Sequence, residues 1–318
     1  MQNNDSGPPD SKVLNWLKKH GYFLEMRVAQ ILKQTGFEVS HFENYIDPES
    51  NDLREIDIVA SIKHQTDEFS VSAVLFIECK YLRHPWVIFT SPRHSSPYAY
   101  FSRILNENYT VHKWKDYESI QGRLLAKVLR SLGRENTTRF DFFTMPSNVG
   151  YAITESLRGN PRANDNAFIA TMQVSKCIEA HDIEMEANFQ RTTEEYQEHL
   201  YGLTTGRDKL SLFCSIAFPI IVAQGKLFEC CLNSNNEIAI VETNESLVLV
   251  SNKNRSEKSK AGPCTSSVKV VTESYVQSFA KEAYRAATAL LSQEEAIKEL
   301  WEYERSKVLG ETRDEIPF

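Results

Sequence analysis

Three charged residues interrupt two strongly apolar stretches of this sequence. Asp57 lies inside the apolar run 56–60, and Glu78 and Lys80 close the run that begins at Ala73. Ionised groups are costly to bury unless they are paired or bind a metal. A hard divalent cation held by two carboxylates can offset the negative charge of a phosphodiester and promote attack by water. These residues therefore predict metal-assisted cleavage of a phosphodiester.

The elements that would position these residues are a helix and an antiparallel meander of three strands. An apolar stripe at helical spacing predicts a helix from about Tyr22 to Gln34, with Glu25 at the margin of the stripe. The strands are predicted at about 37–45, 54–63 and 69–81.

Strand alternation predicts which of these side chains share a face. Glu78 and Lys80 lie two positions apart, so they should project from one face of the third strand. On the second strand the same rule places Asp57 with Glu55 and Val59. Paired strands would then bring the two acids, Asp57 and Glu78, towards each other.

At these residues the chain resembles the PD-(D/E)xK nuclease superfamily. The resemblance is carried by Glu25, Asp57 and the run Glu78-Cys79-Lys80, and it covers roughly residues 20–82. Ile56 stands where the family pattern has proline. The resemblance implies a mixed α/β (α+β) fold with a restriction-endonuclease-like core, in which helices flank a central mixed sheet. A second stretch, 219–228, is also similar to a late strand pair of some members.

The expected roles follow from the chemistry and from this resemblance. Asp57 and Glu78 would hold Mg²⁺ or Mn²⁺, and the resemblance adds the backbone carbonyl of Cys79 as a further ligand. Lys80 would stabilise or orient the attacking water or contact the scissile phosphate. Glu25 would act as an outer or second-metal ligand.

Each of these assignments has a structural alternative. Glu78 and Lys80 could form an edge-strand ion pair, which contributes at most about 1 kcal/mol. Asp57 could bond to a turn at a strand end. Glu25 could be a solvated helix residue.

The charge distribution gives a weaker indication of a nucleic-acid partner. The formal net charge is −7, but residues 79–139 hold 11 basic and four acidic residues, a local excess of +7. Such a region can contact phosphates, although a solvated charged face is an equal alternative. The candidate contact residues are Arg83, Arg93, Arg103, Lys113 and Lys115. By resemblance, Gln173 (or Gln121) is the helix glutamine that often follows the motif.

The remaining pattern predicts one domain with an insertion. Residues 1–11 are polar and are expected to be a disordered lead-in, and Ser11 is expected to cap a helix that begins at Lys12. The single domain would span 12–318. Its predicted parts are a core of 20–82 and about 165–250, a helical insertion of about 83–163, and a C-terminal helix of about 272–308. Within these parts we expect an irregular segment over 82–112, an amphipathic helix over 114–132, and two further helices over 165–188 and 191–201. Strands are expected near 210–223, 226–232, 238–242, 247–250 and 268–271.

The function that fits best is a metal-dependent nuclease acting on DNA, of a restriction, repair or defence type and most simply an endonuclease. The alternatives are a nuclease-fold protein that binds nucleic acid or a partner complex without turnover, and cleavage of RNA at the same site. Double-strand cleavage would require two copies of the site, and hence a homodimer. Six cysteines without CxxC spacing, no secretory signal and no membrane-spanning apolar run favour the cytoplasm.

Overall fold

The computed structural model describes residues 9–19, 21–65, 69–92, 142, 146–156, 165–200, 212–252 and 264–292, together with 298 and 302. The described strands form one ten-stranded sheet. They are β1 (Glu38–Ile46), β2 (Leu53–Gln65), β3 (Phe69–Tyr81), β4 (Trp86–Pro92), β5 (Asn148–Glu155), β6 (Leu212–Gln224), β7 (Leu227–Leu232), β8 (Ile238–Thr243), β9 (Glu245–Asn252) and β10 (Cys264–Thr272). The helices are α1 (Pro9–Lys19), α2 (Tyr22–Thr35), α3 (Asn166–Leu200) and α4 (Val276–Leu291), the last preceded by a 3-10 turn at Glu273–Tyr275.

The sheet is mixed, and its spatial order is β1-β2-β3-β6-β10-β9-β5-β4-β7-β8. The first three strands pair antiparallel, which confirms the predicted meander. β6 lies parallel to β3 along its whole length, and β10 lies parallel to β6. The strand that carries Glu78 and Lys80 is therefore flanked on both sides.

Helices cover both faces of the sheet and enclose two apolar clusters. On one face, α2 and α4 pack on the sheet around Leu24, Ile58 and Phe279. On the other face, α3 packs on it around Phe76 and Val174. Because β3 and β6 are buried on both sides, their apolar residues run continuously rather than alternating with polar ones. The general class predicted from the sequence, a central mixed sheet flanked by helices, is confirmed.

Three elements differ from the sequence-based expectations. The first helix begins at Pro9, so Ser11 lies inside it rather than at its N-terminus, and residues 9–11 are not part of an unstructured lead-in. The two helices expected over 165–201 are one continuous helix, α3. No glycine or proline occurs between Asn166 and Leu200, so the chain offers nothing to interrupt the helix.

The third difference concerns the predicted insertion of about 83–163. Its described parts include two strands of the main sheet, β4 and β5, where an irregular or helical segment was expected. β4 pairs with β5 and with β7, which starts more than 130 residues later in the sequence. Such distant pairing leaves little local pattern in a short strand bounded by prolines. The helix predicted at 114–132 lies outside the described residues.

The C-terminal strands β7 to β10 and the helix α4 agree with prediction, although α4 is described only as far as Leu291. Most of the predicted extension to about residue 308 lies outside the described residues. Among the helices that the structure describes, none has both the length and the hydrophobicity needed to cross a membrane.

The end of α2 depends on Gly36. This residue adopts φ +117°, and its N–H donates to the carbonyls of Leu32 and Lys33. A Cβ atom added there would lie 2.7 Å from the Tyr284 ring of α4. The close approach joins the helix that carries Glu25 to the helix packed beside it.

We expect Gly36→Ala to lower the free energy of unfolding by about 1–3 kcal/mol, because alanine is strained at this φ and collides with Tyr284. Urea unfolding followed by circular dichroism measures the change. The matched control is Lys33→Ala, an exposed substitution in the same helical turn. Equal stability of Gly36→Ala and wild type would contradict the packing described.

Candidate active site

The predicted site lies where β2 and β3 separate. Their antiparallel ladder runs from Gln65↔Ser70 to Ile58↔Ile77 and ends there. Asp57 and Glu78 are the next residues on the two strands. Past this point β3 continues beside β6, so the gap opens only towards β2. The separation leaves room for side chains between two strands in the interior of a sheet.

The second strand also rotates at Asp57. Ile58 packs in the cluster under α2 and α4, whereas Ile56 packs in the cluster under α3. Residues two apart in a regular strand share a face, so alternation breaks between them. Opposite Asp57 on β1 stands Phe42, which has φ +55° and is skipped in the ladder between its neighbours. The expectation that Asp57 simply shares a face with Glu55 and Val59 therefore does not hold.

Asp57 is tied to the neighbouring strand by one short hydrogen bond. The backbone N–H of Cys79 donates to Asp57 Oδ2 at 2.7 Å. Burial raises the pKa of Asp57, and the Cys79 N–H and the nearby Lys80 ammonium only partly oppose that rise. Asp57 bonds to the strand that carries Glu78, and so the turn-bonded alternative is wrong.

Glu78 and Lys80 project from one face of β3 and form an ion pair, as the alternation predicted. The Glu78 side chain is only 3% exposed and Lys80 is 27% exposed. β3 is an internal strand, so the edge-strand alternative is wrong. Burial raises the pKa of Glu78 to about 7, with a further contribution from the charge of Asp57, and Lys80 acts in the opposite direction.

Glu25 enters the same charge cluster from α2. It is only 8% exposed, so the solvated alternative is wrong for this residue. Burial raises the pKa of Glu25 to about 7, and the charges of Asp57 and Glu55 add to the rise, while Lys80 opposes it. The structure thus brings Glu25, Asp57, Glu78 and Lys80 into one electrostatic environment.

Two carboxylate oxygens in this cluster have no hydrogen-bond partner. They are Glu25 Oε2 and Glu78 Oε2, and both are buried. Leaving a buried acceptor unsatisfied costs about 1–3 kcal/mol, and more when the group is charged. A cation or a proton at these oxygens would remove that cost.

The carboxylates of this cluster leave room for only an open metal site. Among the described residues, no three His, Cys, Asp or Glu side chains are close enough together to form a closed metal cage. Mg²⁺ commonly uses only one or two protein carboxylates and completes its coordination with water and substrate phosphate. Asp57 and Glu78, facing one gap with an unpaired oxygen on Glu78, fit an open site of that kind.

The predicted nucleic-acid contacts are only partly described. Arg83 is exposed, three residues beyond Lys80 at the end of β3. Gln173 lies on α3, where its backbone carbonyl accepts a hydrogen bond from the Tyr45 hydroxyl. Gln173 Oε1 is buried and has no hydrogen-bond partner. Arg93, Arg103, Lys113 and Lys115 lie outside the described residues.

Sequence reasoning missed a buried ion pair that anchors α3 beside the site. Lys176 Nζ contacts Asp47 Oδ2 at 3.0 Å and Glu49 Oε2 at 2.7 Å. Burial alone would raise the pKa of Asp47, but hydrogen bonds from Lys176 and from the backbone N–H groups of Glu49 and Ser50 lower it. The Asp-Pro turn was visible in the sequence, but its helical partner 129 residues away was not.

The helix α3 and the strands β1, β2 and β3 line a cavity of about 660 Å³. Its wall includes Tyr45, Phe76, Lys63 and His181, and it runs along the α3 face of β1, β2 and β3. None of the four charged residues of the candidate site lines it. Ile56 and Phe76, which do line it, are close neighbours of Asp57 and Glu78 in the sequence, so the cavity adjoins the point where β2 and β3 separate.

Comparisons with protein-family models, with curated proteins and with solved structures each found no match.

The raised pKa values of Glu25 and Glu78 predict a pH-dependent stability. In the unfolded chain these carboxyls lose their protons near the ordinary value of 4.5, whereas in the fold they hold them up to about 7. The contribution of these protons to the free energy of unfolding is fully present below pH 4.5 and is lost as the pH rises through 7.

In the presence of a chelator, we expect the free energy of unfolding of Glu78→Gln relative to wild type to be higher at pH 8 than at pH 5. The difference should be on the order of 1–3 kcal/mol, because the amide of the variant needs no proton. Urea unfolding at the two pH values measures this difference. Glu38→Gln, an exposed carboxyl on β1, is the control and should change nothing. A Glu78→Gln stability profile parallel to that of wild type would contradict the assigned burial and pKa.

Proposed function

We propose that this chain is a metal-dependent nuclease that hydrolyses phosphodiester bonds, most simply in DNA. The observation that carries the proposal is the pair of buried, unpaired carboxylate oxygens on Glu25 and Glu78 beside Asp57 and Lys80. Three carboxylates and one ammonium leave a formal excess of two negative charges when all are ionised. Such an arrangement suits a divalent cation better than it suits a neutral ligand.

The order of elements supports the same proposal. A Glu-bearing helix precedes a three-stranded antiparallel meander, a parallel strand lies beside the third strand, and helices cover both faces. We propose that this part of the sheet is the restriction-endonuclease-like core implied by the sequence resemblance.

Each protein group has a role in this proposal. Asp57 and Glu78 bind the cation through oxygen, and the Cys79 N–H holds the Asp57 carboxylate in orientation. The cation, when bound, offsets the charge of the phosphate and makes hydroxide available near neutral pH. Lys80, partly exposed, can turn its ammonium from Glu78 towards a phosphate oxygen or the attacking water. Glu25 supplies an outer carboxylate that orients water or a second cation.

A second candidate function is binding of nucleic acid or a partner without turnover. The observation that favours it is the ion pair between Lys80 and Glu78, which occupies one oxygen that the cation would use. In a protein without turnover this pair would stay closed and no cation would be needed.

We expect Asp57→Asn, Glu78→Gln and Lys80→Ala each to reduce cleavage at least about 100-fold, because each removes a group that acts on the charge developing at the phosphate. The measurement is nicking and linearisation of plasmid DNA, and degradation of labelled oligonucleotides, with Mg²⁺ or Mn²⁺. A chelator should abolish the activity of wild type.

The matched controls are Lys63→Ala and Glu43→Gln, exposed residues of β2 and β1 that should retain activity. Equal cleavage by wild type and the three site variants would indicate contamination. Binding of nucleic acid by wild type without any cleavage would favour the second candidate.

Metal binding can be tested without substrate. We expect millimolar Mn²⁺ or Mg²⁺ to raise the melting temperature of wild type at pH 8, since a ligand that binds only the folded state stabilises it. The rise should be smaller at pH 5.5, where the Glu25 and Glu78 carboxyls hold protons. Asp57→Asn should abolish it, and Glu43→Gln should leave it intact. An unchanged melting temperature at all metal concentrations would argue against a cation at this site.

A further inference from the structure

Exposed aromatic side chains lie on or beside the elements that carry the candidate site. On α2, Tyr22 precedes Glu25 by three positions, and residues at this spacing are neighbours on a helix surface. Its ring stacks on Trp16 of α1, with centroids 5.3 Å apart and planes inclined by 29°. The Trp16 and Tyr22 side chains are 49% and 37% exposed. Two stacked rings thus border the Glu25 side of the site and remain open to solvent.

The second aromatic is Phe42 on β1. It stands opposite Asp57, between the pairs His41↔Ile58 and Glu43↔Ile56. It is 46% exposed, although β1 is an edge strand whose apolar residues could turn inward. Its φ of +55° is strained for a bulky residue, and strain of this kind, of order 1–3 kcal/mol, persists only where the surrounding structure imposes it.

The third is Tyr81, which directly follows Lys80 at the end of β3 and is 51% exposed. Arg83, two residues further, is exposed as well. An exposed aromatic ring therefore occurs on α2 and β3, which bear site residues, and on β1, which pairs with the strand that bears Asp57.

The distribution over the described surface is uneven. Six aromatic residues there are exposed, and four of them are Trp16, Tyr22, Phe42 and Tyr81. The other two are Tyr151 on β5 and Phe168 on α3. Burial of apolar rings is favourable, so four open rings on or beside the elements of the candidate site indicate a ligand with flat, unpaired faces.

We propose that the site takes single-stranded nucleic acid, whose unstacked bases pack on these rings while its phosphates meet Lys80 and Arg83. This inference rests on the proposed function and names its substrate class. Bases in a duplex are stacked on each other and cannot reach a side-chain ring, whereas single-stranded bases can, whatever their sequence. Stacking needs no base-specific hydrogen bond, so the preference concerns strandedness rather than sequence.

The experiment measures binding by fluorescence anisotropy in chelator, with labelled 20-nucleotide single-stranded DNA, single-stranded RNA and duplex DNA of the same sequence. Wild type should bind a single strand at least about tenfold more tightly than the duplex at equal salt. Phe42→Ala and Tyr81→Ala should each weaken single-strand binding about 5- to 100-fold and leave duplex binding unchanged. The DNA and RNA arms identify which single strand is preferred.

Conservative and distant variants keep the result interpretable. Phe42→Trp and Tyr81→Phe retain a stacking ring and should restore affinity, which a purely structural role would not require. Tyr151→Ala and Phe168→Ala remove exposed rings away from the site and should have no effect. Circular dichroism and urea unfolding check that each variant folds.

Equal or tighter binding of the duplex, with Phe42→Ala and Tyr81→Ala silent, would overturn this inference. If cleavage still depended on Asp57 and Glu78 in that case, the proposed nuclease function would stand. If wild type neither bound nor cleaved nucleic acid, both proposals would be overturned.

Discussion

The concentration of negative charge where β2 and β3 separate is the constraint on which the rest of this structure depends. Asp57, Glu78 and Glu25 are withdrawn from water, and one ammonium, that of Lys80, lies among them. Hydrogen bonding from the Cys79 N–H offsets part of the cost at Asp57. A proton or a cation must offset the remaining cost of burying this charge. Burial accordingly raises the pKa values of the Glu25 and Glu78 carboxyls to about 7.

The scaffold keeps these groups together by covering the sheet on both faces. α2 lies on one face and brings in Glu25, while Glu78 affects the pKa of Cys177 on α3, across the other face. The buried Lys176–Asp47 pair fixes the turn between β1 and β2 against α3. The charged groups therefore lie on helices and strands rather than on loops. Little conformational entropy is then lost by these groups when a ligand binds. The ring of Tyr81 belongs to β3, which carries Glu78 and Lys80, and the ring of Phe42 belongs to β1, which pairs with the strand that carries Asp57.

Much of this arrangement could be predicted because its signals are local. β2 and β3 follow from continuous apolar runs, and Glu78 and Lys80 share a face because strands alternate with a period of two. Alternation failed at Asp57, where the left-handed Phe42 on the partner strand accompanies a rotation of β2. β4 and β5 were missed because each finds its partners far away in the sequence. No single-sequence pattern reports such a pairing.

The sequence by itself determined which groups would be expensive to bury, since an acid inside a run of isoleucine and valine is buried with its neighbours once the strand packs into the core. It also determined the order of helix and meander. Only the tertiary structure decided that the β2–β3 ladder ends one residue before both acids, that Glu25 is buried rather than solvated, and that the rings of Trp16, Tyr22, Phe42 and Tyr81 remain open to solvent. These outcomes depend on distances between segments that are far apart along the chain, and such distances are set by packing rather than by composition or periodicity.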